Sequence, residues 1–186
     1  MARILRRITS IYFYLYYRLK VKFLKVLVGH EAVAYVLYNS LFPSIVLKIG
    51  GATVGKNVRV NRWLILHESR GTCKNLEIGD DVFLGKSVMI DLSEKVQIGN
   101  RCAIGMGVKI ITHANFGDST LSENYPPDKA GVEIRDDSVI NWGCIINKGT
   151  RIMEKVIVLP GSVVNGTLKE CSIYCGNPAR IIPQKS

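Results

Sequence analysis

The stretch "IRDDSVINWGCIINKGTRIMEKVIVLPGSVV", residues 134–164, decides the fold. Ile134, Ile140, Ile146, Ile152, Val158 and Val164 recur in it at every sixth position without a slip. Neither the 3.6-residue period of a helix nor plain strand alternation produces such a rhythm. Four residues after most of these aliphatics comes a small or modest apolar side chain: Ser138, Cys144, Thr150, Val156, Ser162.

The same rhythm runs upstream through Val54 and Val60, then Ile78, Leu84 and Ile90, then Ile98, Ile104 and Ile110. Val58 and Val60 are two apart, so both point one way from an extended chain while Arg59 points the other. The next slots must turn the chain. They hold Gly55-Lys56-Asn57, Gly79-Asp80-Asp81, Gly99-Asn100-Arg101, Gly105-Met106-Gly107 and Asn147-Lys148-Gly149, residue types that accept positive φ or bond their own backbone. Short extended sides joined by tight corners, with one large inward residue per side, describe an all-β solenoid whose interior is a stack of aliphatic side chains. Successive coils pair about 4.8 Å apart, and each fully buried aliphatic contributes about 1.5–3 kcal/mol. Such coils are stable only as a stack. Three hexads, eighteen residues, per coil fit the spacing.

The runs "IGDDVFLGKSVMI" (78–90), "IGNRCAIGMGVKI" (98–110) and "VLPGSVV" (158–164), with the tail "IYCGNPARII" (173–182), resemble the hexapeptide-repeat acyltransferases, sugar and polysaccharide O-acetyltransferases among them. The resemblance covers roughly residues 50 to 183. It implies a left-handed parallel β-helix of about five coils. The expected organisation is an N-terminal helical segment over 1–49 and a β-helix over 50–186, with a protruding loop at 114–133.

That loop, "THANFGDSTLSENYPPDKAG" (112–131), interrupts the rhythm between Ile110 and Ile134, and Gly117, Pro126, Pro127 and Gly131 mark it as an excursion from a corner. His113 stands at its root, where a neutral imidazole can take up a proton near pH 6.5. In the acetyltransferases that the chain resembles, the histidine of such a "TH" deprotonates a hydroxyl that attacks the thioester of acetyl-coenzyme A, and His113 matches it. Subtracting one coil plus two extra residues before Ile98 puts Ser93 under His113 and Asp91 on the same corner. Asp91 is the candidate partner that orients the imidazole, with Asn115 and Asp118 as alternatives. His30 and His67 have no comparable setting.

The resemblance also implies coenzyme A in a groove between subunits of a homotrimer. Gly143, Pro160, Gly161 and Asn165 would lie along it, and Arg180 of "GNPAR" would reach the nucleotide phosphates; Trp142 packs either on the coenzyme or on a neighbouring subunit. Two departures from the pattern stand out. Val139 replaces a tryptophan common in relatives, with Trp142 three residues later, and Asn165-Gly166 replaces a Thr-Lys pair. No metal is expected, since a zinc enzyme of this shape needs a closely spaced histidine pair that His30, His67 and His113 do not supply.

The formal net charge is +10, and seven of the basic residues (Arg3, Arg6, Arg7, Arg18, Lys20, Lys22, Lys25) fall within residues 1–28, which hold no acid. A nucleic-acid-binding body is not indicated. "IYFYLYYRLKVKFLK" (11–25) mixes tyrosines with cations, a composition suited to the bilayer interface. Amphipathic helices over about 3–28 and 31–42 are expected, either packed on the solenoid or laid against a membrane. The cations interrupt the apolar stretch long before it could span a bilayer, and no small-residue cleavage site follows it. Five cysteines, an odd number, argue against a disulfide framework and for a reducing compartment. The expectation is a cytoplasmic O-acetyltransferase for a sugar hydroxyl in surface polysaccharide biosynthesis, with peripheral attachment to the inner face of the membrane as one of the two readings of residues 1–28. An N-acetyltransferase on an amino sugar and a non-catalytic membrane scaffold are the alternatives.

Overall fold

The computed structural model describes residues 2–28, 36, 42–69 and 71–183. The hexads fold as two- and three-residue strands on three faces. The first face stacks Thr53–Val54, Leu76–Ile78, Val96–Ile98, Val132–Ile134, Arg151–Ile152 and Thr167–Leu168 in parallel. The second stacks Arg59–Val60, Phe83–Leu84, Ala103–Ile104, Val139–Ile140, Ile157–Val158 and Ile173–Cys175, and the third Ile65–His67, Met89–Asp91, Lys109–Ile110, Ile145–Ile146 and Val163–Val164. This makes five complete coils and two sides of a sixth, against about five expected.

Inward positions of the second to fifth coils are closed to water, Leu84, Ile90, Ile104, Ile110, Ile140, Ile146 and Ile152 being fully buried, while Val54 and Val60 of the first coil are half-buried. Corners take a left-handed residue at a fixed slot, as at Asn57, Asp81, Arg101 and Asp137 on the first corner and Gly107, Gly143 and Gly161 on the second. At Gly105 the demand is on space. A Cβ there would lie 2.7 Å from Trp142 Cδ1 and 2.8 Å from the backbone of the next coil. On the first corner side chains extend the backbone ladder. Asp80 Oδ1 accepts the Lys56 N–H, Asn100 Oδ1 the Asp80 N–H, and Asp136 Oδ1 the Asn100 N–H, at 2.7–2.8 Å. Cys73, Cys102 and Cys144 are buried, and burial pushes the Cys73 thiol up to about 12 and Cys102 to about 11. They are packing groups.

Both ends of the stack are covered. Helix α1 (Ala2–Val28) and a short helix α2 (Pro43–Ile49) sit at the first coil, where Val46 and Leu47 are fully buried and Ala52 N–H bonds Leu47 O. Sequence reading did not separate out α2, and of the helix expected at 31–42 only Val36 and Phe42 are among the described residues. At the other end the chain turns back, pairing Arg180–Ile182 antiparallel to Ile173–Cys175 over Tyr174. The excursion after the third coil is tighter than the expected 114–133 loop. His113–Ala114 pairs antiparallel with Asp128–Lys129, and Val132–Glu133 already belong to the first face.

Coils stack in register, yet they differ in length. Ile78 lies on Val54, Ile98 on Ile78, Ile134 on Ile98, Ile152 on Ile134 and Leu168 on Ile152, steps of 24, 20, 36, 18 and 16 residues. The second and third faces keep the step of the first within each coil. Every insertion therefore falls on one edge, the corner that leads from the third face back to the first.

Because Ile152 is sealed in the core and its neighbour Arg151 is exposed, Ile152→Ala should lower stability by about 2–5 kcal/mol and Arg151→Ala by less than about 0.5 kcal/mol. Urea denaturation of the two variants measures the contrast.

Candidate active site

The variable edge carries the site. Asp91 ends a strand of the third face and is 1% exposed, although its side chain is a carboxylate. Four donors converge on it. Oδ2 accepts from His113 Nδ1 at 2.6 Å, from the Thr112 N–H at 2.8 Å and from the Thr112 hydroxyl at 2.8 Å, while Oδ1 accepts the Ser93 N–H at 3.0 Å. Burial alone would raise its pKa, but these bonds outweigh burial and hold Asp91 well below the usual carboxylate range. An ionised carboxylate only accepts, so His113 Nδ1 carries the hydrogen, and in the neutral ring the lone pair sits on Nε2. The bond to Asp91 thus fixes the tautomer of the neutral imidazole.

Ser93 Oγ lies 3.1 Å from the same Nδ1. The two extra residues at this corner of the second coil, which the spacing before Ile98 reveals, put Ser93 directly beneath His113. Thr112 is fully buried, accepts the Glu94 N–H through its hydroxyl at 3.2 Å and receives the Ala130 N–H at its carbonyl at 2.9 Å, which anchors both stems of the excursion. Lys148 pairs with Asp128 on the far stem. Of the alternative orienters, Asn115 accepts the Gly117 N–H at 2.9 Å, and neither it nor Asp118 shares the imidazole Nδ1.

His67, which has no comparable setting in the sequence, lies beside the site: its ring stacks on that of His113, centroids 5.6 Å apart and planes 17° from parallel. A signal was present: His67 follows the inward Leu66 as Asp91 follows the inward Ile90, and the two residues are cross-coil partners. Beside the imidazoles a cleft of about 270 Å³ opens between the first two coils and the excursion, with Glu68, Ser69, Thr72, Lys74, Ser93 and Lys129 on its walls. Polar groups and apolar surface, from Leu92 and the side-chain stems, share its lining about equally.

The remaining candidates occupy other places. Trp142-Gly143 and Pro160-Gly161 stack on the second corner, where the Gly161 N–H bonds Trp142 O at 2.9 Å. Trp142 is 64% exposed, and a Cβ on Gly143 or Gly161 would meet nothing within 4 Å. Arg180 is exposed just after the Gly176–Ala179 turn, which is tied to this corner by Gly176 N–H to Ser162 Oγ at 3.1 Å and Ala179 N–H to Val163 O at 2.8 Å. Asn165 does not join this column. It sits on the third corner, the His113 edge, and accepts from Asn147 Nδ2 at 2.7 Å. One face, six residues and at most roughly 20 Å wide, separates Trp142 and Gly161 from His113. Among the described residues no group of three or more His, Cys, Asp or Glu is arranged to hold a metal ion.

In solved structures the same architecture recurs. The hexapeptide-repeat acetyltransferase of Vibrio cholerae complexed with acetyl coenzyme A superposes with a TM-score of 0.71 at 23% identity, over 83% of this chain and 84% of that one. A maltose O-acetyltransferase from Clostridium difficile gives 0.72 at 23% identity, over 84% of each chain. The fold is the left-handed β-helix of the hexapeptide-repeat acetyltransferases. Galactoside acetyltransferase in complex with coenzyme A shares this β-helix at a TM-score of 0.71 and 18% identity, over 83% of this chain and 78% of that one. In sequence, the serine acetyltransferase of Bacillus licheniformis is 28% identical over 109 residues, 59% of this chain and 49% of that protein. A 2,3,4,5-tetrahydropyridine-2,6-dicarboxylate N-acetyltransferase of Staphylococcus aureus is 30% identical over 74 residues, 40% of this chain and 31% of that protein. The β-helix chain spans about half the length, or less, of these curated relatives. No family model matches it.

The buried carboxylate sets a pH signature. A depressed folded pKa means that ionised Asp91 stabilises the fold fully above the ordinary aspartate value of about 3.9, and that this contribution drains as pH falls through the folded value. Asp91→Asn should lower stability by about 1–3 kcal/mol at neutral pH. The gap in melting temperature from the parent protein should narrow as pH drops below about 4, which thermal scans across pH measure.

Proposed function

We propose that the protein is an acetyl-coenzyme-A-dependent O-acetyltransferase that acetylates a sugar hydroxyl, with His113 as the general base. The observation that carries this reading is the short Asp91–His113 bond, which in the neutral ring leaves the Nε2 lone pair available, next to Ser93 on the wall of the cleft. His113 Nε2 takes the hydroxyl proton as the oxygen bonds to the thioester carbonyl carbon. Collapse of the adduct breaks the carbon–sulfur bond, and His113 returns its proton to the departing thiolate. Asp91 holds the ring and offsets the positive charge that it gains in the step. Such assistance is worth about 10²–10⁴ in rate, roughly 3–5 kcal/mol of barrier.

Support for the acyl donor comes from the neighbours whose structures hold acetyl coenzyme A or coenzyme A, and from surfaces here that suit it. Exposed Trp142, the open backbone at Gly143 and Gly161, and Arg180 line an edge that a long, phosphate-ended thioester could follow. Since His113 and this edge bound opposite sides of one face, the reading calls for a second subunit to bring the thioester of one edge to the base of another, and so for a homotrimer. The cleft beside Ser93 suits a hydroxyl-rich acceptor, in keeping with the neighbours named as maltose and galactoside acetyltransferases. A role in surface polysaccharide assembly is the biological setting proposed. An amino-sugar acceptor is the second reading, because an N-acyltransferase of Bacillus cereus with coenzyme A and a dideoxy amino sugar nucleotide also superposes, at a TM-score of 0.57 and 19% identity.

The test is thiol release from acetyl coenzyme A with neutral sugars and amino sugars supplied as separate panels. Release that depends on neutral sugars supports O-transfer, and release that needs the amine supports the second reading. His113→Ala should lower kcat by about 10²–10⁴ and, because it leaves the buried Asp91 one donor short, stability by about 1–3 kcal/mol. No release with either panel would favour a non-catalytic scaffold.

A further inference from the structure

Helix α1 has two different faces, and only one is used within the chain. Phe13, Tyr17, Val21 and Leu24 turn inward. Tyr17 and Val21 are 6% and 4% exposed, and the Phe13 ring lies 4.2 Å from that of Phe42. The opposite face remains open. Ile11, Leu15, Leu19 and Phe23 follow one another at four-residue steps and are 52–67% exposed, with Tyr12 and Leu27 beside them, also more than half exposed. At 100° per residue these side chains span an arc of about 160°.

Cations border this arc on both sides. Arg18 and Lys25 follow one margin with Lys22 just inside it, and Lys20 stands at the other with its ammonium 5.9 Å from the centroid of the Tyr16 ring. No acid occurs anywhere in the helix.

We propose that this arc of α1 is a docking surface for an anionic lipid bilayer. Two observations select that occupant. A second copy of the chain would bring two helices with seven like charges each against one another, with no acid in either to offset them. An anionic leaflet matches instead a helix lying flat, with apolar side chains in the acyl boundary, tyrosines at headgroup depth and cations on both flanks. Insertion across the membrane is not available, because among the described residues no helix is long and apolar enough to span it. The inward face explains why the helix stays with the protein while its outer face binds lipid. The inference stands independently of the acetyl-transfer reading.

Sedimentation of the full chain with phosphatidylcholine vesicles, and with phosphatidylcholine–phosphatidylglycerol vesicles, tests the proposal. The protein should pellet with the anionic vesicles and stay in solution with the neutral ones, and high salt should weaken the binding. Each cation near an anionic surface contributes about a fivefold factor. Arg18→Ala, Lys22→Ala and Lys25→Ala together should therefore lower the partition coefficient on the order of a hundredfold. The triple change Leu15→Ser, Leu19→Ser, Phe23→Ser should abolish pelleting even at low salt, with melting temperature and oligomer mass unchanged. Failure to pellet, equal pelleting with both vesicle types, or a fall in oligomer mass in the serine variant would overturn the proposal, the last by showing that another subunit covers the arc.

Discussion

The register between stacked coils is the constraint on which the rest depends. Each strand is only two or three residues long, too short to be stable alone, and it is held by hydrogen bonds to the coils on either side and by one aliphatic side chain packed into the column. A slip of one residue would turn that side chain out to water and the next polar one in. Inward residues therefore keep their order on all three faces, and any change in coil length must be absorbed where it disturbs no face. Here it is absorbed at a single edge. Five successive coils vary from 16 to 36 residues, with every difference piled on the third corner.

A protein built this way separates its stable part from its chemical part. First and second corners repeat with little variation, both turned by left-handed residues and the first capped by a ladder of Asp and Asn side-chain oxygens. At the third corner, two extra residues in the second coil, a longer excursion in the first and the antiparallel stems of the third come to lie side by side. Asp91, Ser93, His67 and His113 meet there on rigid backbone. The buried carboxylate illustrates the economy of the arrangement. Its desolvation is offset by four hydrogen bonds, and two of those come from Thr112, next to the residue whose ring it orients.

Much of this could be read from the sequence, because the hexad obeys a physical rule that leaves few alternatives. Ile134 to Val164 dictates buried columns and corners, and counting back by one coil plus two residues is enough to bring Ser93 and Asp91 to His113. The five complete coils are legible in the hexads; the two further sides are less so, because the sixth coil is shortened and its inward residue on the second face is Tyr174, not an aliphatic. His67 was missed because its coil is separated from the next by an irregular step of 24 residues, which hides the partnership with Asp91. Helix α1 was legible as a helix, but apolar residues lie almost all the way round it. Only the packing of Tyr17 and Val21 shows which face is used. Asn165 looked adjacent to Gly161 in sequence, yet a strand of the third face lies between them and carries Asn165 to the opposite edge.

The central claim is that His113 and the thioester meet across one cleft of the assembled protein. A structure of the oligomer with coenzyme A bound measures this directly. The account predicts the coenzyme along the edge of Trp142, Gly143 and Gly161, with its sulfur and His113 Nε2 separated by the space of one acceptor hydroxyl, each contact about 3–3.5 Å. A sulfur held far from every His113 in the assembly, or a neighbouring subunit packed over the His113 ring, would contradict it.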